Sequence, residues 1–187
     1  MTGETDITLN LNLEGNGRYE ISTGIGMLDH LLESLTKHAL FDMKVAATGD
    51  IHRDTHHLLE DIGLALGQAL NQALGDRRGI TRFADAMVPM DETLAQVAID
   101  LGGRPYASVQ LPFIRDLVGE LPTENVAHLL ESFAQEGRFN LHVRVLSGDN
   151  DHHIAEAVFK ALARCLRAAV AIDPRLGGAV PSTKDVL

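Results

Sequence analysis

Apolar residues alternate with polar ones near the start of the chain. Ile7, Leu9, Leu11 and Leu13 face one way, and Thr8, Asn10 and Asn12 face the other. That period of two predicts a half-buried strand. Gly15-Asn16-Gly17 reads as a turn, and 18–22 as the returning strand. From Met27 the period changes. Met27, Leu28, Leu31, Leu32 and Leu35 form the apolar stripe of a helix over 27–39. Met43, Val45 and Ala47 predict another strand. Asp54 or Thr55 can cap a long helix reaching Leu74, whose inner face carries Leu59, Ile62, Leu66, Ala69 and Ala73. Gly63 and Gly67 lie one turn apart on it, which lets a neighbouring backbone come close.

The second half of the chain runs through the same order. Residues 93–101 predict a strand, Gly102-Gly103 a turn, and 106–111 a strand. A helix follows over 123–135, then a strand in which Phe139, Leu141, Val143 and Val145 alternate with Asn140, His142 and Arg144. Asn150 or Asp151 can cap a last helix reaching Val170. An additional strand over 82–89 precedes this half. The repeat is visible in the letters too. Phe41-Asp42-Met43-Lys44-Val45 answers Phe139-Asn140-Leu141-His142-Val143, and Gly49-Asp50 answers Gly148-Asp149. The expected fold is α+β: two repeated half-domains, residues 1–78 and 79–187, packed into one unit. Each is a small, mostly antiparallel sheet with two helices on one face.

Composition narrows the function. Sixteen Lys and Arg against 26 Asp and Glu leave a formal net charge of −10. That balance argues against a nucleic-acid partner, because phosphate backbones are held by clustered cations. No apolar run reaches membrane-spanning length. Cys165 is the single cysteine, so no internal disulfide can form and a reducing compartment is expected. Met1-Thr2-Gly3-Glu4 shows no basic region with an apolar stretch behind it, so no signal peptide is expected and the cytoplasm is.

Nine histidines are present, and they are not scattered. His56-His57-Leu58-Leu59-Glu60 and His152-His153-Ile154-Ala155-Glu156 place the same His-His-x-x-Glu pattern at two helix starts. One such match arises by chance in roughly one chain in forty of this composition, and two in roughly one in a few thousand. Side chains three and four apart share a helix face, so each Glu can meet one of its two histidines on a common ion. His30 and His128 occupy equivalent places on the preceding helices; alone, either is more often a satisfied buried histidine, but as a repeat-related pair they are the candidates for the missing nitrogen ligands. Imidazole with carboxylate suits Mn, Fe, Zn, Ni or Co; the absence of Cys ligands argues against a zinc finger.

Other positions carry weaker signals. Arg82 and Arg104 sit beside turns, and Pro181-Ser182-Thr183-Lys184 follows Gly177-Gly178. Together such groups can clamp a phosphate, although singly each is more often a solvated side chain. Glu4 opens the first strand and Glu92 the corresponding strand of the second half. Either can be a general acid or base, or a plain strand-edge charge.

These segments together resemble the imidazoleglycerol-phosphate dehydratase family of histidine biosynthesis. Gly24-Ile25-Gly26-Met27-Leu28-Asp29-His30 is similar to its first metal motif, with Met27 where Phe is common. Asp54-Thr55-His56-His57-Leu58-Leu59-Glu60-Asp61 and 151–160 are similar to its two signatures. Gly79-Ile80-Thr81-Arg82-Phe83, Asp100-Leu101-Gly102-Gly103-Arg104-Pro105-Tyr106 and Pro181-Ser182-Thr183-Lys184 fit its phosphate-site segments. The resemblance spans nearly the whole chain in order. No segment resembles the phosphatase domain fused in some relatives, so a single activity is expected.

The resemblance implies conversion of imidazole glycerol phosphate to imidazole acetol phosphate by loss of water. It implies two Mn2+ ions per site, which would stabilise an imidazolate, and a homo-oligomer of 24 subunits built from trimers, with sites at subunit boundaries. The metal ligands it implies are His30, His56, His57, Glu60, His128, His152, His153 and Glu156. The substrate contacts it implies are Glu4, His38, Arg82, Arg104, Lys160, Ser182 and Lys184. Glu4 can move the proton. Metal-bound water or a site histidine can protonate the departing hydroxyl, and the sequence does not choose between them.

The repeat also predicts how the ligands are shared. Adjacent histidines point in different directions on a helix. One ion is therefore expected to take His30, His57, Glu60 and His152, and the other His128, His153, Glu156 and His56. Two rival readings use the same residues. One is a dinuclear metallohydrolase acting on a phosphate ester. The other is a non-catalytic, metal-nucleated assembly protein.

Overall fold

A computed structural model describes residues 4–184. The first half contributes β1 (Thr5–Asn12), β2 (Tyr19–Ser22), α1 (Gly26–Ala39), β3 (Asp42–Gly49) and α2 (His56–Leu74). The second contributes β4 (Phe83–Met90), β5 (Thr93–Asp100), β6 (Tyr106–Gln110), α3 (Thr123–Gly137), β9 (Asn140–Ser147) and α4 (Asp151–Ala169). Between β6 and α3 lies a small ribbon, β7 (Leu117–Val118) with β8 (Leu121–Pro122). The hydrophobic pattern did not predict it, because two-residue strands carry no periodicity.

The strand alternation is realised as burial. Met43, Val45 and Ala47 of β3 are buried, while Lys44, Ala46 and Thr48 between them are exposed. Leu141 and Val143 of β9 are buried in the same way. Pairing departs from the sequence reading at one point. The strand returning after Gly15-Asn16-Gly17 does not close a hairpin on β1. The order is β1-β3-β2, with β3 antiparallel to β1 and parallel to β2. The turn is built around the start of β3. The Asp42 carboxylate accepts from the backbone N–H groups of Asn16 (2.8 Å) and Arg18 (3.0 Å). A Cβ on Gly15 would lie 2.2 Å from the Asp42 nitrogen. The central slot goes to the most apolar strand, which both neighbours then shield from water. In the second half β9 is inserted between β5 and β6 in the same sense, giving β4-β5-β9-β6.

The helices lie between the two sheets, and their pairing crosses the halves: α1 packs on α4, and α2 on α3. Gly63 and Gly67 make the second contact, as their spacing predicts. A Cβ on Gly63 would lie 2.7 Å from the Leu129 carbonyl oxygen, and one on Gly67 2.6 Å from the Gly137 nitrogen. One continuous core results, running from Leu31 and Ile62 to Leu130 and Phe159. Arg77, at the junction of the halves, is only 4% exposed. Its guanidinium donates to the carbonyls of Leu101, Gly137 and Arg138 and to Asn71 Oδ1. A buried cation needs that many partners.

Candidate active site

Two triads form where helices of opposite halves meet. At the first, His30 of α1 faces His152 and Glu156 of α4. Their Nε2 atoms lie 3.3 Å and 3.2 Å from Glu156 Oε2. At the second, His56 and Glu60 of α2 face His128 of α3. His56 Nε2 is 3.9 Å from Glu60 Oε2, and His128 Nε2 is 3.6 Å from Glu60 Oε1. Within each triad the three donor atoms lie within 4.8 Å of one another.

Local structure explains which side chains join. The Asn150 side chain accepts from the N–H groups of His152 and His153 and caps α4. Asp54 Oδ1 accepts from His56 N–H at 3.0 Å at the start of α2. Thr55 does not cap; its hydroxyl accepts from Asn125 Nδ2 of α3 instead. Each Glu stands four residues after the first histidine of its pair, on the same helix face. The second histidine is turned about 100° away.

The grouping expected from sequence therefore needs a correction. The cross-half pairings His30 with His152 and His56 with His128 are present. The carboxylates are exchanged: Glu156 stands with His30 and His152, and Glu60 with His56 and His128. His57 and His153 belong to neither triad. They meet carboxylates at strand starts in repeat-related fashion. His57 Nδ1 lies 3.3 Å from Glu4 Oε2, and His153 Nδ1 lies 2.8 Å from Glu92 Oε2. Glu92, which answers Glu4 in the sequence repeat, is thus brought against a site histidine.

The surroundings of the first triad hold its carboxylate ionised. Burial pushes the Glu156 carboxyl up, but hydrogen bonds from Lys160 and His30 outweigh it and hold the group at about 2. Lys160 Nζ is 2.7 Å from Glu156 Oε1. His38 of α1 feels the same surroundings: burial and the Lys160 charge both lower its pKa. The hydrogen bond from His153 brings Glu92 down to about 2.

The triads fit a transition metal. His128 Nε2 is buried and has no hydrogen-bond partner among the described residues. Two imidazoles and one carboxylate converge in each place, and three protein ligands with open positions are what a catalytic metal site requires.

The basic groups distant in sequence meet elsewhere. Arg82, Arg104, Ser182 and Lys184 line one cavity of about 820 Å³, with Gly102 and Phe83 in its wall. No residue lining it belongs to either triad. Arg82 is already engaged, in a fork with Asp100 and with the Pro181 carbonyl.

The chain is similar to known proteins over its length. The sequence pattern of the imidazoleglycerol-phosphate dehydratase family matches residues 23–166. The enzyme of that name from Chloroflexus aurantiacus is 57% identical over 187 residues, covering 100% of this chain and 91% of its own. The one from Roseiflexus is 58% identical over 186 residues, covering 100% and 94%. The chain belongs to the imidazoleglycerol-phosphate dehydratase family. The crystal structure of IGPD from Pyrococcus furiosus superposes with a TM-score of 0.86 at 37% identity, over 100% of this chain and 98% of that one. The Staphylococcus aureus enzyme gives 0.82 at 33% identity, over 91% and 95%. Activity in this family is that of a hydro-lyase in histidine biosynthesis. The matched span includes both triads; Glu4, Ser182 and Lys184 lie outside it.

Proposed function

We propose that this chain removes water from imidazole glycerol phosphate to give imidazole acetol phosphate, using two divalent metal ions, with manganese as the first candidate. The observation that carries the reading is the pair of His-His-Glu triads together with a separate basic pocket. His30, His152 and Glu156 would hold one ion, and His56, His128 and Glu60 the other. When bound, such ions supply Lewis acidity that draws electron density from an imidazole ring.

The chain's own groups do the rest. Arg82, Arg104, Ser182 and Lys184 grip the phosphate, which requires several convergent donors. Glu4 takes the proton from the second carbon of the glycerol chain, one removed from the imidazole ring. Hydroxide departs from the carbon attached to the ring, and the enol left behind tautomerises to the ketone. The 3.3 Å contact with His57 fixes the carboxylate that must accept the proton. Lys160, against Glu156, and His38 border the first triad and contact the polar part of the substrate.

A homo-oligomer completes the site in this reading, a 24-mer built from trimers. Two features favour it. The phosphate pocket and the triads share no residue within one chain. His57 and His153 point away from their own triads, so each can serve a site built with a neighbouring copy. No described helix is long and apolar enough to cross a membrane, and the cytoplasm is the proposed location.

The test is turnover. Manganese-loaded protein with imidazole glycerol phosphate should yield an enolisable ketone with phosphate retained. Release of inorganic phosphate would instead favour the metallohydrolase, and an assembled particle without turnover the structural metal protein.

A further inference from the structure

Arg82 is held more firmly than a phosphate ligand needs to be. It stands one residue before β4, with φ +73°, in the left-handed region that side-chain-bearing residues seldom occupy. Its N–H donates to the Ala169 carbonyl at 2.9 Å, and its carbonyl accepts from Leu101 N–H at 3.1 Å. The guanidinium makes a two-pronged contact with Asp100, Nε to Oδ1 at 2.7 Å and Nη2 to Oδ2 at 3.1 Å. Nη1 donates to the Pro181 carbonyl at 2.7 Å. The Phe83 ring lies beneath, its centroid 4.4 Å from Cζ.

An arginine has five N–H donors. Three are used here, which leaves one on Nη1 and one on Nη2. The carboxylate that fixes the fork also opposes an anion electrostatically. Asp100 ends β5, and the strand register sets it opposite Phe83, next to Arg82. Gly102 closes over the pair: a Cβ there would lie 2.9 Å from Arg82 Nη2 and from both Asp100 carboxylate oxygens.

We propose that Asp100 is a positioning residue of the anion pocket: by locking the Arg82 guanidinium, it aims the two remaining donors at a phosphate and, through the Pro181 carbonyl, sets the segment bearing Ser182 and Lys184 across the pocket. The proposal rests on the phosphate reading of that pocket. Its geometric gain outweighs the repulsion its charge exerts, because an unfixed arginine samples many rotamers and a fork meets a phosphate in only a few of them.

The test uses manganese-loaded full-length protein, with inorganic phosphate as the probe in calorimetry. Asp100→Asn removes half the fork. Gly102→Ala removes no polar group but crowds the pair, and its clash involves only side-chain ends. Both should weaken phosphate binding about tenfold or more. Both should raise KM for imidazole glycerol phosphate by a similar factor while kcat changes by less than about threefold, a loss of uniform binding. Phosphate should slow tryptic cleavage after Arg175 in the wild type and fail to do so in the variants. Variants that bind phosphate as tightly as wild type, or more tightly, would overturn the proposal, since Asp100 would then only neutralise Arg82. So would a fall in kcat at unchanged KM. A wild type without affinity for phosphate would remove the phosphate reading and this proposal with it.

Discussion

The His128 ring stacks on that of His56, with centroids 4.5 Å apart and planes 22° from parallel. The two residues come from opposite halves of the chain, 72 positions apart in sequence. Both direct Nε2 toward the Glu60 carboxylate, yet neither comes within hydrogen-bond distance of it. Two imidazole nitrogens and a carboxylate that converge without hydrogen-bonding leave room for a cation between them. The stack is thus the arrangement expected of ligands, and it makes the metal reading testable.

Glu60→Gln keeps the shape of the second triad and removes its only anion. Metal bound per chain, measured by elemental analysis after gel filtration, should fall by about half, because the first triad is untouched. Glu156→Gln should do the same, and the double variant should lose nearly all metal. Full metal content in Glu60→Gln would exclude the second triad as a site.

Glu4→Gln preserves the size of the side chain beside His57 but removes the base. Turnover should drop by about 100-fold or more, the scale of a lost general base, while metal content stays near normal. Turnover close to that of the wild type would remove Glu4 from the mechanism.

Chelation at neutral pH tests the oligomer. If sites are completed between copies, metal stabilises the assembled form by linkage, and its removal should shrink the particle in light scattering. Activity lost at constant mass would show that metal does not hold subunits together.

Gly67→Ala should destabilise the α2–α3 contact. Its Cβ would lie 2.6 Å from the Gly137 nitrogen and 2.7 Å from the Phe133 carbonyl oxygen, both backbone atoms that cannot turn aside. A cost of about 1–3 kcal/mol is expected for such overpacking, lowering Tm by several degrees. An unchanged Tm would mean the helices separate freely.

Cys165 should be inert in the native protein. It is fully buried, and its Sγ donates to the Val97 carbonyl. Burial pushes the thiol up from its ordinary 9.0 to about 12. A thiol reagent at pH 8 should therefore label it only after unfolding. The sign of the stability effect follows: the folded state favours the neutral thiol, so its advantage is complete below about 9 and is lost as pH rises toward 12. Cys165→Ala should make the alkaline limb of the stability profile shallower.

Much of this protein is written in local patterns. Alternation at Ile7, Leu9 and Leu11, the stripe from Met27 to Leu35, and the paired His-His-x-x-Glu segments follow from periods of 2 and 3.6, which any stretch of chain carries by itself. The spacing of Gly63 and Gly67 likewise announced a close helix contact. What the periods could not carry is which elements become neighbours. Strand β3 enters between β1 and β2 because burial of Met43 and Val45 from both sides outweighs closing a hairpin, and burial is settled by the whole sheet. The first histidine of each pair takes its own Glu, four residues on, whereas its partner histidine comes from a helix of the other half. Only the packing of α1 on α4 and of α2 on α3 supplies that partner. The Arg82–Asp100 fork lies at the far end of the same scale. Nothing near either residue signals the other, because the bond exists only where strand register sets the end of β5 against the start of β4.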